Sequence, residues 1–156
     1  MTIVKYSSRF EVPPAVLFAF HSDVANLTRI SPPLPKFELL SAPVPTKPGD
    51  EQVFRLSIGW LKTTWRAEIV RFQPDSLIED VQKSGPFLRW RHRHSIAAEP
   101  GGSRLTDVVA FRMIPGRAGE VLEWFLIRPA LVGMLIWRHR KTAAALRRPP
   151  AAPRRS

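Results

Sequence analysis

From Lys47 to Ser103 the turn signals "KPGDE", "GWLK", "QPDS", "KSGP" and "EPGGS" follow one another so closely that only short strands fit between them. Connections of that length cannot cross over a sheet, so consecutive strands must be antiparallel hairpin neighbours. The candidate strands are Phe37–Ser41, Gln52–Gly59, Thr63–Phe72, Leu77–Gln82, Phe87–Ala97 and Arg104–Met113. Three of them show an apolar face at a period of two: Phe54, Leu56 and Ile58; Trp65, Ala67 and Ile69; Leu105, Val109 and Phe111.

The flanking segments read differently. "TIVKYSSRFEV" sets Val4, Tyr6, Ser8, Phe10 and Val12 against Lys5, Ser7, Arg9 and Glu11, the pattern of a half-buried strand. The period then changes in "PPAVLFAFHSDVANLTRI". Pro13-Pro14 suits the first turn of a helix, and Ser22 or Asp23 can cap a second short helix ending at Ile30. After the last strand, residues 116–148 carry apolar side chains at helical spacing. Val121, Trp124, Phe125, Leu131, Leu135 and Ile136 are expected to form one broad apolar surface, with a kink or interruption at Pro129. Glu123 and Arg128 interrupt a run already short for a bilayer, which argues against a membrane span at 121–137. The prediction is an α+β fold: a strand, two short helices, six more strands, and a long C-terminal helix. If the sheet curves around that helix, a cavity is left between them, mostly apolar with a few placed polar groups.

One strand carries unusual chemistry for its position. In "GPFLRWRHRHSI", Leu88, Trp90, His92, His94 and Ile96 share one face, while Phe87, Arg89, Arg91, Arg93 and Ser95 share the other. Arginines favour water, so the tryptophan and both imidazoles should point inward. Alternation in the next strand places Asp107 inward with Leu105, Val109 and Phe111, close to the histidine pair. On the outer face, Arg89, Arg91, Arg93, Arg104 and Arg112 need carboxylates between them, and Glu79 and Glu68 are the candidate partners.

Composition limits the function classes. Cysteine is absent, which excludes disulfides, thiolate metal sites and thiol nucleophiles. The net charge is +11, yet seven basic residues and no acidic one fall between Arg138 and Ser156. The tail at 148–156 is expected to be disordered. It reads either as a solvated end or as a weak contact for an anionic membrane surface, and no specific nucleic acid is expected as a partner. The N-terminus lacks the charged start and apolar block of a secretion signal, so a cytoplasmic location is expected.

The order of elements, the string "EDVQKSGPFLRWRHRHSI", the later "TDVVAFRMIPG" and the N-terminal "FEVPPAVLFAFHSDVANLTRISPP" resemble the START-like helix-grip superfamily. Within it the chain is similar to the bacterial polyketide cyclase/dehydrase-like, or SRPBCC, ligand-binding proteins. The resemblance spans about residues 3–145 and rests most specifically on the Trp-x-His-x-His element after Gly-Pro-Phe. It implies a helix-grip domain at 1–147, a sheet of about seven strands wrapped around the long helix, and an internal cavity. It also implies that Asp80 and Gln82 face inward with Ile78.

The expected site is then Asp80, Gln82, His92, His94 and Asp107, walled by Trp65, Trp90 and Phe111. Three readings stay open. The polar groups can simply satisfy one another in the interior. They can orient a small hydrophobic ligand such as a lipid, quinone, polyketide or similar aromatic molecule. Or His92, His94 and Asp107 can act as general acid and base in a cyclase/dehydratase-type enzyme, or with a carboxylate can ligate a metal. The resemblance favours ligand binding with no metal and no cofactor.

Overall fold

The computed structural model describes residues 1–147; the basic tail expected at 148–156 lies outside the described residues. Strand β1 (Thr2–Phe10) is followed by helices α1 (Pro14–Ser22) and α2 (Val24–Ile30). Then come β2 (Lys36–Ser41), β3 (Glu51–Ile58), β4 (Leu61–Gln73), β5 (Leu77–Ser84), β6 (Arg89–Glu99) and β7 (Gly102–Arg112). The C-terminal helical stretch runs through α3 (Gly116–Leu122), a π-helical turn (Glu123–Ile127) and α4 (Arg128–Arg147). All seven strands form one antiparallel sheet in the order β1-β7-β6-β5-β4-β3-β2, so the first strand closes against the last. This is the α+β architecture expected from the turn spacing. None of the described helices is long and apolar enough to cross a membrane.

Local chemistry accounts for the helix boundaries. Pro13 precedes α1 with extended backbone, and Pro14 opens the helix, where its missing N–H breaks no bond. Asp23, not Ser22, caps α2: its carboxylate accepts the Ala25 N–H at 3.0 Å. Helix α4 buries Leu131, Leu135, Arg138, His139 and Thr142 along one stripe, packed mainly on β1.

The apolar surface expected on the long helix is only half realised. Leu131 and Leu135 are buried, but Val121, Trp124 and Phe125 stand in solvent, Phe125 at 74% exposure. The π turn explains the difference, because its wider spacing rotates its own residues and those before it out of phase with α4. It sits just ahead of Pro129, whose ring would clash with the carbonyl four residues back in a regular helix. In this phase Glu123 turns inward and is fully buried. Its carboxylate accepts the N–H groups of Met113 (2.6 Å) and Ile114 (3.1 Å) and the Thr2 hydroxyl (2.8 Å). Glu123 thereby ties the start of β1 to the β7–α3 connection.

On the outer face Glu79 is wholly buried beneath arginines. Arg91 donates to it at 2.8 Å and Arg93 at 3.0 Å, with Arg71 at 3.7 Å. The other expected partner, Glu68, pairs with Lys83 at 2.7 Å instead. Arg104 pairs with Glu99 and Arg112 with Glu120, so much of the outward arginine charge is met locally.

Gly133 lies in the middle of α4, where a built Cβ meets nothing within 4 Å. A helix-interior glycine with open space around it costs only backbone entropy. Gly133→Ala is therefore expected to raise the unfolding free energy by about 0.5–1 kcal/mol, read as a higher urea midpoint at unchanged slope.

Candidate functional site

Between the sheet and α4 lies a partly open cavity of 790 Å³. Its apolar walls include Phe37, Phe54, Leu56, Trp65, Leu131 and Met134, drawn from β2, β3, β4 and α4. Its titratable groups that are not solvent-exposed come from five elements: His21, Asp80, His92, His94, Asp107 and Arg138.

Strand register assembles most of these groups. In the β6–β7 hairpin, Trp90 lies opposite Phe111, His92 opposite Val109, and His94 opposite Asp107. On the other side of β6, His92 lies opposite Asp80 and His94 opposite Ile78. Because side chains alternate across a sheet, this register puts both imidazoles and both carboxylates on the concave face.

Asp107 is the centre of the network. One carboxylate oxygen accepts His94 Nδ1–H at 2.6 Å and the other accepts His139 Nε2–H at 3.1 Å. His139 Nδ1 in turn meets the Ser8 hydroxyl at 2.9 Å. Burial pushes the Asp107 carboxyl up, but the His94 imidazole and the hydrogen bonds from the histidines outweigh this and hold it well below the usual carboxylate range. His92 lies alongside without a close bond: its Nε2 is 3.8 Å from Asp107 and its Nδ1 is 3.9 Å from Asp80. The His92 and His94 rings are 4.0 Å apart, and His21 sits 5.6 Å beyond His94.

Several cavity donors find no acceptor. Among the described residues lining the cavity, Trp65 Nε1, Trp90 Nε1, His92 Nε2 and Arg138 Nε are buried without a hydrogen-bond partner. Buried polar groups in folded proteins are nearly always paired, so these atoms are exceptions that call for an explanation.

Three residues of the site come from helices and are not expected from the sequence. His21 is on α1, where its Nδ1–H donates to the Leu17 carbonyl at 3.0 Å. Arg138 and His139 are on α4, where the sequence shows only the basic C-terminal end, yet Arg138 is 7% exposed and His139 3%. A signal is present for His139, which continues the four-residue spacing of Leu131 and Leu135 onto the sheet.

Two expected site residues are placed elsewhere. Gln82 is not on the cavity wall: its amide donates to the Phe87 carbonyl at 2.5 Å and accepts the Phe87 N–H at 3.3 Å. Phe111 is fully buried behind Phe87, 5.9 Å between rings, and does not reach the cavity surface. The reason lies in the Gly85-Pro86 turn. β6 begins at Arg89, not Phe87, so residues 85–88 escape the strand alternation. Phe87 consequently packs inward against Trp65 and Trp90, while Leu88 stands 59% exposed. Trp65, Asp80, Trp90, His92, His94 and Asp107 line the cavity.

Buried titration sets a testable pH behaviour. Burial raises Asp80 from the ordinary 3.8 to about 6, partly offset by His94. Burial, with His94 adding to it, lowers His21 from 6.5 to about 4. Asp80 contributes stability in its protonated form, complete below pH 3.8 and lost as pH rises through 6. His21 contributes in its neutral form, complete above pH 6.5 and lost as pH falls through 4. The two windows overlap with opposite sign. In Asp80→Asn the His21 effect is unopposed, so unfolding free energy should climb between pH 4 and 6.5 and exceed the parent's at alkaline pH by about 3 kcal/mol. Urea titrations across that range decide it; a variant that tracks the parent at every pH would contradict the assignment.

The donor atoms of Asp80, His92 and His94 all lie within 4.8 Å of one another, a donor set that can take a transition-metal ion. Asp107, bonded to His94 Nδ1, stands where a carboxylate orienting a metal-bound imidazole belongs.

Residues 10–135 match the family model described as "Polyketide cyclase / dehydrase and lipid transport". No curated protein matches the chain. Among solved structures, a crystal structure from Chromobacterium violaceum is similar at TM-score 0.72 and 14% identity, covering 93% of this chain and 97% of that one. A protein from Thermus thermophilus gives TM-score 0.70 at 14% identity, over 92% and 99%. A solution structure from Arthrobacter aurescens gives 0.72 at 11% identity, over 99% and 92%. Identities this low carry the fold alone.

Proposed function

The chain belongs to the polyketide cyclase/dehydrase and lipid transport family, and on that premise we propose that it binds a small, largely apolar molecule in the cavity under α4. Lipids, quinones, polyketides and similar aromatic molecules are the ligand classes. The observation that carries this reading is a 790 Å³ hollow whose walls are largely apolar and in which the buried Trp65 Nε1, His92 Nε2 and Arg138 Nε have no hydrogen-bond partner. Apolar ligand surface removed from water contributes about 25 cal/mol per Å² before the costs of association. His92, His94 and Asp80 then select orientation through one or two polar atoms of the guest.

One observation favours a second reading. His94 is held by Asp107 at 2.6 Å, the arrangement that fixes an imidazole's tautomer and orientation for proton transfer. A cyclase/dehydratase-type reaction would use His94 or His92 as general acid or base on a carbonyl substrate. His94→Gln separates the two: a binder loses affinity modestly, whereas an enzyme keeps its substrate and loses turnover by orders of magnitude.

Native mass spectrometry of the purified chain tests the binding reading. The expected result is a stoichiometric hydrophobic adduct, removed by organic extraction and restored by adding the extract back. A bare chain that takes up nothing from the extract of its own cells would overturn it. Stoichiometric zinc or iron in the same preparation would replace it with metal chemistry at Asp80, His92 and His94.

A further inference from the structure

We propose that the cavity's ligand is an amphipathic carboxylate, a fatty or aromatic monoacid whose head is received by Arg138. The inference rests on the binding reading above and names its ligand class.

Arg138 is the buried cation of the cavity, and its surroundings leave it unmatched. It projects from α4 into the hollow and is only 7% exposed. A guanidinium carries five N–H donors and accepts nothing. Among the described residues Arg138 makes one hydrogen bond, from Nη2 to the Ser31 hydroxyl at 3.2 Å, and its Nε is buried with no partner. Its planar group rests 5.3 Å from the Phe37 ring centre, an apolar neighbour that supplies no acceptor. No carboxylate among the described residues forms an ion pair with it. Asp107 is already bonded through both oxygens to His94 and His139, and the closest ion-pair contact of Asp80 is His92 at 3.9 Å.

Asp107 and Asp80 act on Arg138 only at longer range, and a buried charge with no ion-paired partner is costly, so folded chains seldom retain one without a use. Burial lowers the Arg138 pKa to about 10, so the group is still charged at neutral pH. An anion entering through the cavity supplies the direct, hydrogen-bonded partner that the two aspartates do not. A planar carboxylate matches the guanidinium with two parallel hydrogen bonds. A doubly charged phosphate fits less well, since Arg138 is a single buried cation in a site that already holds Asp80 and Asp107. The rest of the molecule is fixed by the walls. Met134 and Leu131, on α4 one and two turns before Arg138, continue the cavity surface with Phe37, Phe54 and Trp65. A head at Arg138 therefore leads an apolar tail along those side chains.

Calorimetric titration of the full chain near neutral pH with dodecanoate, 1-dodecanol and dodecyl phosphate tests the assignment, using the parent, Arg138→Met and Arg138→Lys. The parent should bind dodecanoate most tightly. Arg138→Met should weaken dodecanoate about 10- to 100-fold, the range of a charged hydrogen-bonded contact, and weaken dodecanol, which offers only a neutral acceptor, by less than about 10-fold. Arg138→Lys should fall between, because an ammonium keeps the charge but not the paired geometry. A single cooperative urea transition shows that each variant is folded. Equal affinity of the parent for dodecanoate and dodecanol would overturn the carboxylate and leave the binding reading intact. Tighter, Arg138-dependent binding of dodecyl phosphate would overturn it in favour of a phosphate head. Failure of all three ligands on the parent would remove the binding reading and this inference with it.

Discussion

Asp107→Ala is expected to lower the unfolding free energy by about 3–5 kcal/mol, the cost of stripping one partner from a buried charged network. At about 2–4 °C per kcal/mol for a chain of this size, the thermal midpoint should fall by roughly 10 °C. The magnitude follows from what is left behind. Asp107 is 2% exposed and accepts from His94 at 2.6 Å and His139 at 3.1 Å. Without it both imidazoles lose an acceptor in the interior, and the negative charge that helps keep Arg138 ionised disappears. Asp107→Asn should cost about half as much, because an amide oxygen still accepts one bond while the charge is gone. Thermal and urea unfolding at neutral pH measure both. Loss below about 1 kcal/mol for Asp107→Ala, the worth of an ordinary hydrogen bond, would show that the imidazoles reach other partners, and the network would lose its centre.

Trp90→Ala is the second large effect, expected to cost about 3 kcal/mol. Trp90 is 6% exposed and meets Trp65 edge-on at 4.8 Å and Phe87 at 4.8 Å, with His92 at 6.0 Å. Removing it deletes dispersion contacts on three sides, and aromatic pairs are worth about 0.5–1.5 kcal/mol each beyond their area. The expected cost stands at the lower end for a tryptophan truncation because one side of the ring already faces the hollow, so fewer atoms lose a neighbour. The variant should also enlarge the hollow and admit bulkier ring systems than the parent accepts. Urea unfolding reads the first effect, and competition between a single-ring and a fused polycyclic aromatic ligand reads the second. A stability loss under about 1 kcal/mol, below the range for truncating a packed aromatic, would mean that Trp90 is not part of the packed wall.

Much of the fold is legible in the sequence because short hairpins leave little freedom. The turns "QPDS" and "EPGGS" fix antiparallel neighbours, and the period of two then decides which side chains face inward. That is why His92, His94 and Asp107 can be placed together from the sequence. The failures cluster where alternation does not apply. Phe87 lies beyond the Gly85-Pro86 turn, which resets which way the next side chain points, and Gln82, still within β5, spends its amide on the Phe87 backbone. Helices pose the other difficulty. His21, Arg138 and His139 reach the site from α1 and α4, and a helix's rotation relative to a sheet is set by packing. Here that rotation is further altered by the π turn at Glu123–Ile127, whose only trace in the sequence is Pro129 just beyond it. The buried Glu123 follows from the same shift of phase. A carboxylate that reads as an interruption of the apolar run becomes the acceptor for two backbone N–H groups.

The indole resonances of the five tryptophans test the interior binding site most directly. In proton–nitrogen correlation spectra of the labelled chain titrated with dodecanoate or 1-dodecanol, the Trp65 and Trp90 N–H peaks should move saturably at one ligand per chain, while that of the solvent-exposed Trp124 stays fixed. Movement confined to Trp60 and Trp124, with Trp65 and Trp90 unaffected at saturation, would place the ligand on the outer surface and contradict an occupied hollow beneath α4.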